Sequence, residues 1–218
     1  MILGFDASKF QTANLDFQSA FDGGARFCWL RACLGTAYRD TCFEAYLAKA
    51  QAAGLVALPY AVIYGDDDPA AMAQNIIATL ADKNTPSVVG QPPVSRFKVV
   101  ALDCETSDLV GKWSVVEAVL GYLVGAGLNC VLYSYSSFLN AHPIDADSPL
   151  AGLPLWLADY GRDDGAFDIT KAPHAPAPFE KWTFWQYSDR ASITASQTMD
   201  GDVFDGELND LIMFAAGA

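Results

Sequence analysis

The chain has 218 residues, 52% of them apolar, enough for one sizeable core. Asp plus Glu total 26 against 13 Lys plus Arg, a net charge of −13, which repels phosphate backbones and argues against nucleic-acid binding and against docking on anionic membranes. No apolar run approaches the roughly 18 residues a membrane span needs, and Asp6 follows the start at once with no basic n-region, so neither a span nor a signal peptide is expected.

In chain order, a short β-run at Ile2–Phe5 ends in Asp6. A brief helix is predicted from Asn14 to Phe21, with Asn14 as its cap and Phe17, Ala20 and Phe21 on one face. A second β-run, Phe27–Arg31, is followed by a helix from Asp40 to Ala53 that closes on Gly54, suited to a left-handed position after the helix. Val56–Val62 is the third run. The helix after it starts at Pro69 behind the acids Asp66–Asp68 and extends to Ala81. The fourth run, Phe97–Asp103, leads to a helix over Ser114–Val124, and the fifth, Asn129–Tyr133, to a doubtful short helix.

The last third changes character. Leu153–Ala158, Thr183–Tyr187 and Met199–Phe204 have strand patterns, but Pro and Gly fill the linkers, and KAPHAPAPF (171–179) excludes regular helix. Glu207 to Ala216 reads as a closing helix. Strand–helix alternation argues for parallel pairing, and eight strands suit an α/β fold of the modified TIM-barrel type, (β/α)5(β)3, as one domain over 1–218. An open doubly wound sheet is the alternative; no Gly-rich phosphate loop follows the first strand to support its nucleotide-binding form.

Five cysteines (Cys28, Cys33, Cys42, Cys104, Cys130) at irregular spacing, with no C-x-x-C, read as reduced thiols. His142 and His174 each adjoin a proline and read as loop residues. No metal cluster or cofactor motif is visible.

Barrel active sites lie at the C-terminal strand ends. Here those ends carry Asp6, Arg31, Tyr60, Asp103 with Glu105, Tyr133, Trp156 with Tyr160, and Trp185 with Gln186; the last strand begins at Asp200. Residues i and i+2 on a strand share a face, so Asp103 and Glu105 project together while Cys104 points to the outer layer. Neighbouring carboxylates raise each other's proton affinity, so one can hold a proton near neutrality, as a general acid must. Aromatic rings around such a pair are platforms for sugar rings. Together these features suggest glycoside hydrolysis. Alone, D-x-E is a weak signal, since acids often cap a strand end in solvent.

Six ordered segments carry a resemblance. GFDASKFQ resembles a G-x-D-x-S-x-x-Q opening. FCWLRACLGTAYRDTCFEAYLAKAQAAGL resembles a strand, an Arg-Ala-x-x-Gly turn and an Asp-led helix. VVALDCE, LPLWLADYG, FWQYS and MDGDVFDG resemble the D-x-E, W-x-A-x-Y, W-Q-Y and V-D-x-N-x-F-x-G segments of glycoside hydrolase family 25, the Chalaropsis-type lysozymes. The resemblance implies hydrolysis of the β-1,4 bond between N-acetylmuramic acid and N-acetylglucosamine in peptidoglycan, with Glu105 as general acid/base and Asp103 orienting the N-acetyl group. Asp6 and Asp200 complete an acidic ring. Arg31, Tyr60, Tyr133, Trp156, Tyr160, Trp185 and Gln186 become substrate contacts. It implies no cofactor and no metal; the expected partner is the peptidoglycan glycan strand, charge and hydropathy already speak against nucleic acid and membrane insertion, and a monomer is one reading of an oligomeric state that the sequence does not give. It also suggests a phage-type endolysin made in a bacterial host's cytoplasm and released through a holin, or an effector exported by a dedicated system.

The chain departs from the family pattern at Tyr60-Ala61-Val62, where Tyr-His-Phe is usual, and at Asp202, where Asn is usual; Tyr135 has no obvious counterpart. Two other readings remain open: a non-catalytic glycan-binding barrel and a chitin-directed hydrolase.

Overall fold

The structure, a computed structural model, describes residues 1–11, 14–82, 93–194 and 197–218. Strand β1 (Ile2–Ala7) is followed by α1 (Phe17–Asp22), β2 (Phe27–Leu34), the two-residue β3 (Tyr38–Arg39), α2 (Phe43–Ala53), β4 (Val56–Val62) and α3 (Pro69–Leu80). Next come β5 (Val99–Asp103), α4 (Trp113–Gly125), β6 (Asn129–Tyr135), α5 (Ser136–Ala141), β7 (Leu155–Ala158), β8 (Phe184–Ala191), β9 (Met199–Phe204) and α6 (Leu208–Ala215).

Eight strands close into a barrel in the order β1-β2-β4-β5-β6-β7-β8-β9, and β9 pairs back onto β1; β3 hangs on the outside of β2. Within the barrel all neighbours are parallel except at β9, which runs antiparallel to both β8 and β1; the outlying β3 is antiparallel to β2. The closed barrel, rather than the open doubly wound sheet, is therefore the fold. The doubtful fifth helix exists as the six-residue α5.

Local chemistry explains the element boundaries. Asp68 caps α3 by accepting from the Ala71 N–H, and Pro69 occupies its first turn, where a missing N–H costs nothing. Gly54 ends α2 at φ +82°, a left-handed conformation that disfavours any Cβ. Two predicted caps are corrected. Asp16, not Asn14, caps α1 through the Ser19 N–H. Helix α2 begins at Phe43 rather than Asp40, because the Asp40 carboxylate is buried and bonded to Arg31.

Alternation along the strands sorts side chains into two layers. Cys28, Leu30, Val100, Leu102, Cys104, Leu132, Leu155 and Leu157 face the helices. Phe27, Trp29, Leu58, Tyr60, Ala101, Val131, Tyr133, Trp156, Phe184 and Phe204 fill the barrel. One end is closed by α6, whose Leu211 and Phe214 pack under the interior. From Phe214 a continuous column of rings ascends through Phe184 to Trp29, which stacks on Trp156 at 4.9 Å and 13°. Tyr60 and Tyr133 meet Trp156 from above at 5.8 and 4.4 Å. These rings exclude water from the bore and form the floor of whatever lies at its open end.

Candidate active site

At that open end, Asp6, Asp103, Glu105 and Asp200 line one cavity of about 540 Å³, together with Arg31, Tyr60, Tyr133, Trp156, Tyr160 and Gln186. Each arrives there for a geometric reason. Strand β1 continues through Asp6 to Ala7, past its expected end, so Asp6 points inward from within the strand. Strand β5 stops at Asp103, yet the Cys104 N–H still bonds the Tyr133 carbonyl at 2.9 Å and the Ser134 hydroxyl donates to the Cys104 carbonyl at 2.7 Å. The extended path therefore persists to Glu105, and the two carboxyls share a face while Cys104 is buried outside. Asp200 is the second residue of β9, and only because β9 is antiparallel does the start of that strand lie at the end of the barrel where β1 and β5 finish.

Gln186 ties the acids to the tyrosines. Its Nε2 donates to Asp6 Oδ2 at 2.5 Å, and its Oε1 accepts from the Tyr133 hydroxyl at 2.9 Å and the Tyr160 hydroxyl at 2.7 Å. One amide thus fixes three functional groups. Below it, Asp202 is fully buried and accepts from Trp156 Nε1 at 2.8 Å.

The electrostatics follow from burial among like charges. Asp103 is driven well above the usual carboxylate range by burial and then by the Glu105 charge, with Arg31 opposing. Burial also raises Glu105, against the pull of the Tyr133 hydroxyl. Burial, then Asp200 and Asp202, raise Asp6. Asp200 is pushed up to about 6 by burial, then by the charges of Asp189, Glu105 and Asp163. The site therefore holds protons at pH values where exposed acids have lost them.

A second chamber of about 350 Å³ adjoins the first and is lined by Tyr135, Ser136, Ser137, Ala158 and Asp159. Glu105, Tyr133 and Tyr160 border both chambers, so Glu105 stands at their junction. Phe10, 78% exposed, marks the far rim of the first chamber, its ring 5.0 Å from the Arg31 guanidinium. Sequence reasoning missed Phe10, Ser136 and Asp159. Phe10 lay in view within GFDASKFQ, but nothing in the pattern says that its ring stands over an arginine.

One expected contact is not part of the cavity. Trp185 packs in the outer layer between Trp182 and Tyr187 and donates Nε1 to the Asp159 carbonyl at 2.8 Å. Adjacent strand residues point to opposite faces, so Gln186 and Trp185 cannot both line the bore. The four buried cysteines are free thiols, and burial raises them, Cys33 and Cys130 to about 12, which leaves them unreactive packing groups. Among the described residues no helix is long and apolar enough to cross a membrane.

The family model described as glycosyl hydrolases family 25 matches residues 5–195. The chain belongs to that family. Family membership makes it a glycoside hydrolase, and the barrel agrees with its solved members. A Streptomyces coelicolor lysozyme superposes with a TM-score of 0.79 at 23% identity, covering 99% of this chain and 97% of that one. An endolysin catalytic domain from a Listeria monocytogenes bacteriophage gives 0.70 at 21%, over 100% and 98%. In sequence, lysozyme M1 of Streptomyces globisporus is 22% identical over 98% of this chain and 71% of its own length.

Proposed function

We propose that this family 25 hydrolase cleaves peptidoglycan glycan strands at the β-1,4 bond between N-acetylmuramic acid and N-acetylglucosamine. The observation that carries the reading is the convergence of four carboxyls from distant parts of the chain on one cavity, with Glu105 at the junction of two chambers. A glycan lying across both chambers presents its bridging oxygen to Glu105. The lysozyme names of the relatives support the substrate class.

Glu105, its proton retained by burial, donates that proton to the bridging oxygen as the C–O bond breaks. Asp103 accepts the N–H of the acetamido group and sets its carbonyl oxygen against the anomeric carbon, so the substrate supplies the nucleophile. Glu105, now anionic, takes a proton from the water that opens the resulting oxazolinium ring. Asp6 and Asp200 stabilise the positive charge that develops on the ring, and Gln186 keeps Asp6, Tyr133 and Tyr160 in register. Tyr60 and Trp156 form the floor; Trp185 supports from outside. Residues 1–218 act in this reading as one catalytic unit, and its setting is that of a phage-type endolysin released to the wall.

The test uses purified peptidoglycan. Wild type should clear turbidity and leave new reducing ends on N-acetylmuramic acid by mass spectrometry, whereas Glu105→Gln should lose about 10²–10⁴-fold in rate. Reducing ends on N-acetylglucosamine would move the cut to the other bond, as would be expected of a chitin-directed enzyme. Binding without clearing would make the barrel a glycan-binding protein. N-deacetylated glycan cut as fast as the acetylated form would exclude substrate assistance.

A further inference from the structure

Among the described residues, Arg31 is the one Lys or Arg that lines the acidic cavity, and it is held in place. Its Nε donates to Asp40 Oδ2 at 2.8 Å, both side chains being almost wholly buried. Asp40 is itself fixed by the backbone N–H groups of Lys9 (3.1 Å) and Cys42 (2.9 Å). The guanidinium face lies 5.0 Å from the Phe10 ring. Yet Arg31 Nη2 is buried with no hydrogen-bond partner, and so is Asp103 Oδ1. Arg31 is the fifth of the eight residues of β2 and Asp103 the last of β5, with β4 between them.

Both residues line the same cavity, and the buried Arg31 charge acts on the Asp103 carboxyl without a hydrogen bond between them. Arg31 Nη2 is enclosed, so a ligand-binding role for it does not fit, whereas Asp103 lines the cavity. The groups that face Asp103 are Asp6 on β1, Arg31 on β2, Tyr60 on β4, Glu105 beyond β5 and Tyr133 on β6. Of these, Arg31 alone favours the Asp103 carboxylate over its acid form.

We propose that Arg31, clamped by Asp40, is a positioning residue for the reaction: its charge draws the proton shared by the carboxyl pair away from Asp103 and towards Glu105. This rests on the assignment of Glu105 as the acid and Asp103 as the acetamido partner. It opposes the burial and the Glu105 charge that favour the acid form of Asp103, and so makes the anion that the reaction needs easier to reach. It also gives the Arg31–Asp40 pair a function beyond packing. Asp40 moderates the field, since a bare guanidinium would lower Asp103 further.

The prediction has opposite signs for the two partners. In ¹³C NMR titrations of carboxyl-labelled protein, Arg31→Gln should raise the Asp103 midpoint by about one pH unit or more, while Asp40→Asn lowers it. Arg31→Lys, which keeps the charge, should stay near wild type. The titration needs no substrate, so it stands whether or not peptidoglycan is cleaved. On peptidoglycan, the acid limb of the pH–rate profile should move up for Arg31→Gln and down for Asp40→Asn, with kcat falling more than KM rises for Arg31→Gln. A packing role alone would lower activity in all three variants with unmoved midpoints and limbs, and that result overturns the proposal. Should Arg31→Gln fail to fold, an Asp40→Asn midpoint that is unmoved or raised overturns it equally. Wild type that cleaves nothing would instead defeat the catalytic assignment beneath it.

Discussion

At the scale of single residues, the acids were legible because strand geometry is simple. An i, i+2 spacing put Asp103 and Glu105 on one face, and the same rule, applied strictly, excludes Trp185 once Gln186 faces in. Asp200 carries a prediction of its own. Its raised value of about 6 means that the fold favours the protonated acid. That stabilisation is complete below the ordinary value of 3.8 and is lost as pH rises through about 6. Asp200→Asn removes the ionisation, so the variant should be more stable than wild type at pH 8, on the order of 2 kcal/mol, and equal to it near pH 4. Calorimetry of both proteins at the two pH values measures this; a difference independent of pH would show that Asp200 is not charged at a cost. The gain should come with lost activity if Asp200 serves the reaction.

At the scale of elements, periodicity located α1 to α4 and α6 but gave α5 no bounds, and ends moved wherever tertiary contacts competed for a capping side chain. Asp40 reads as a cap in sequence and is taken by Arg31 in the fold, thirteen residues before α2 ends. Helix α6 illustrates the converse. Its local signals are strong: Glu207 and Asp210 form a reciprocal capping box, and Asp210 accepts the Glu207 N–H at 2.9 Å. Its role as the plug of the bore is visible only in three dimensions, where Leu211 is fully buried with Phe214 against Phe184 and Phe204. Leu211→Ala should cost about 2–5 kcal/mol in urea unfolding. It should leave the pH–rate profile unchanged at a temperature where the variant is folded, because the plug is at the end of the barrel away from the acids. A moved profile would mean that the plug and the site are coupled through the aromatic column.

At the scale of the whole molecule, the charge of −13 repels any acidic polymer attached to a peptidoglycan substrate. Like charges slow encounter, and salt screens them over about 8–10 Å near physiological strength. Raising NaCl from about 10 to about 150 mM should therefore speed the clearing of anionic walls severalfold, and do so less for walls stripped of their acidic polymers. Turbidity rates at matched pH check this. Rates that fall with salt would point to a cationic docking surface instead.

The sequence by itself determined the layers of this protein: alternating apolar runs make strands, their interruption by 3.6-residue periodicity makes helices, and the acids placed after the runs fall at the strand ends. Those are local rules, and local rules are written in consecutive residues. Only the tertiary structure decided closure of the barrel, the antiparallel return of β9 that sets Asp200 beside Asp6 and Glu105, and the clamp that holds Arg31 near Asp103. The physical reason is separation along the chain. Gln186 and Asp6 are 180 residues apart and share a hydrogen bond of 2.5 Å, and no spacing rule spans that distance. It takes the closed ring of strands to convert eight local endings into one site.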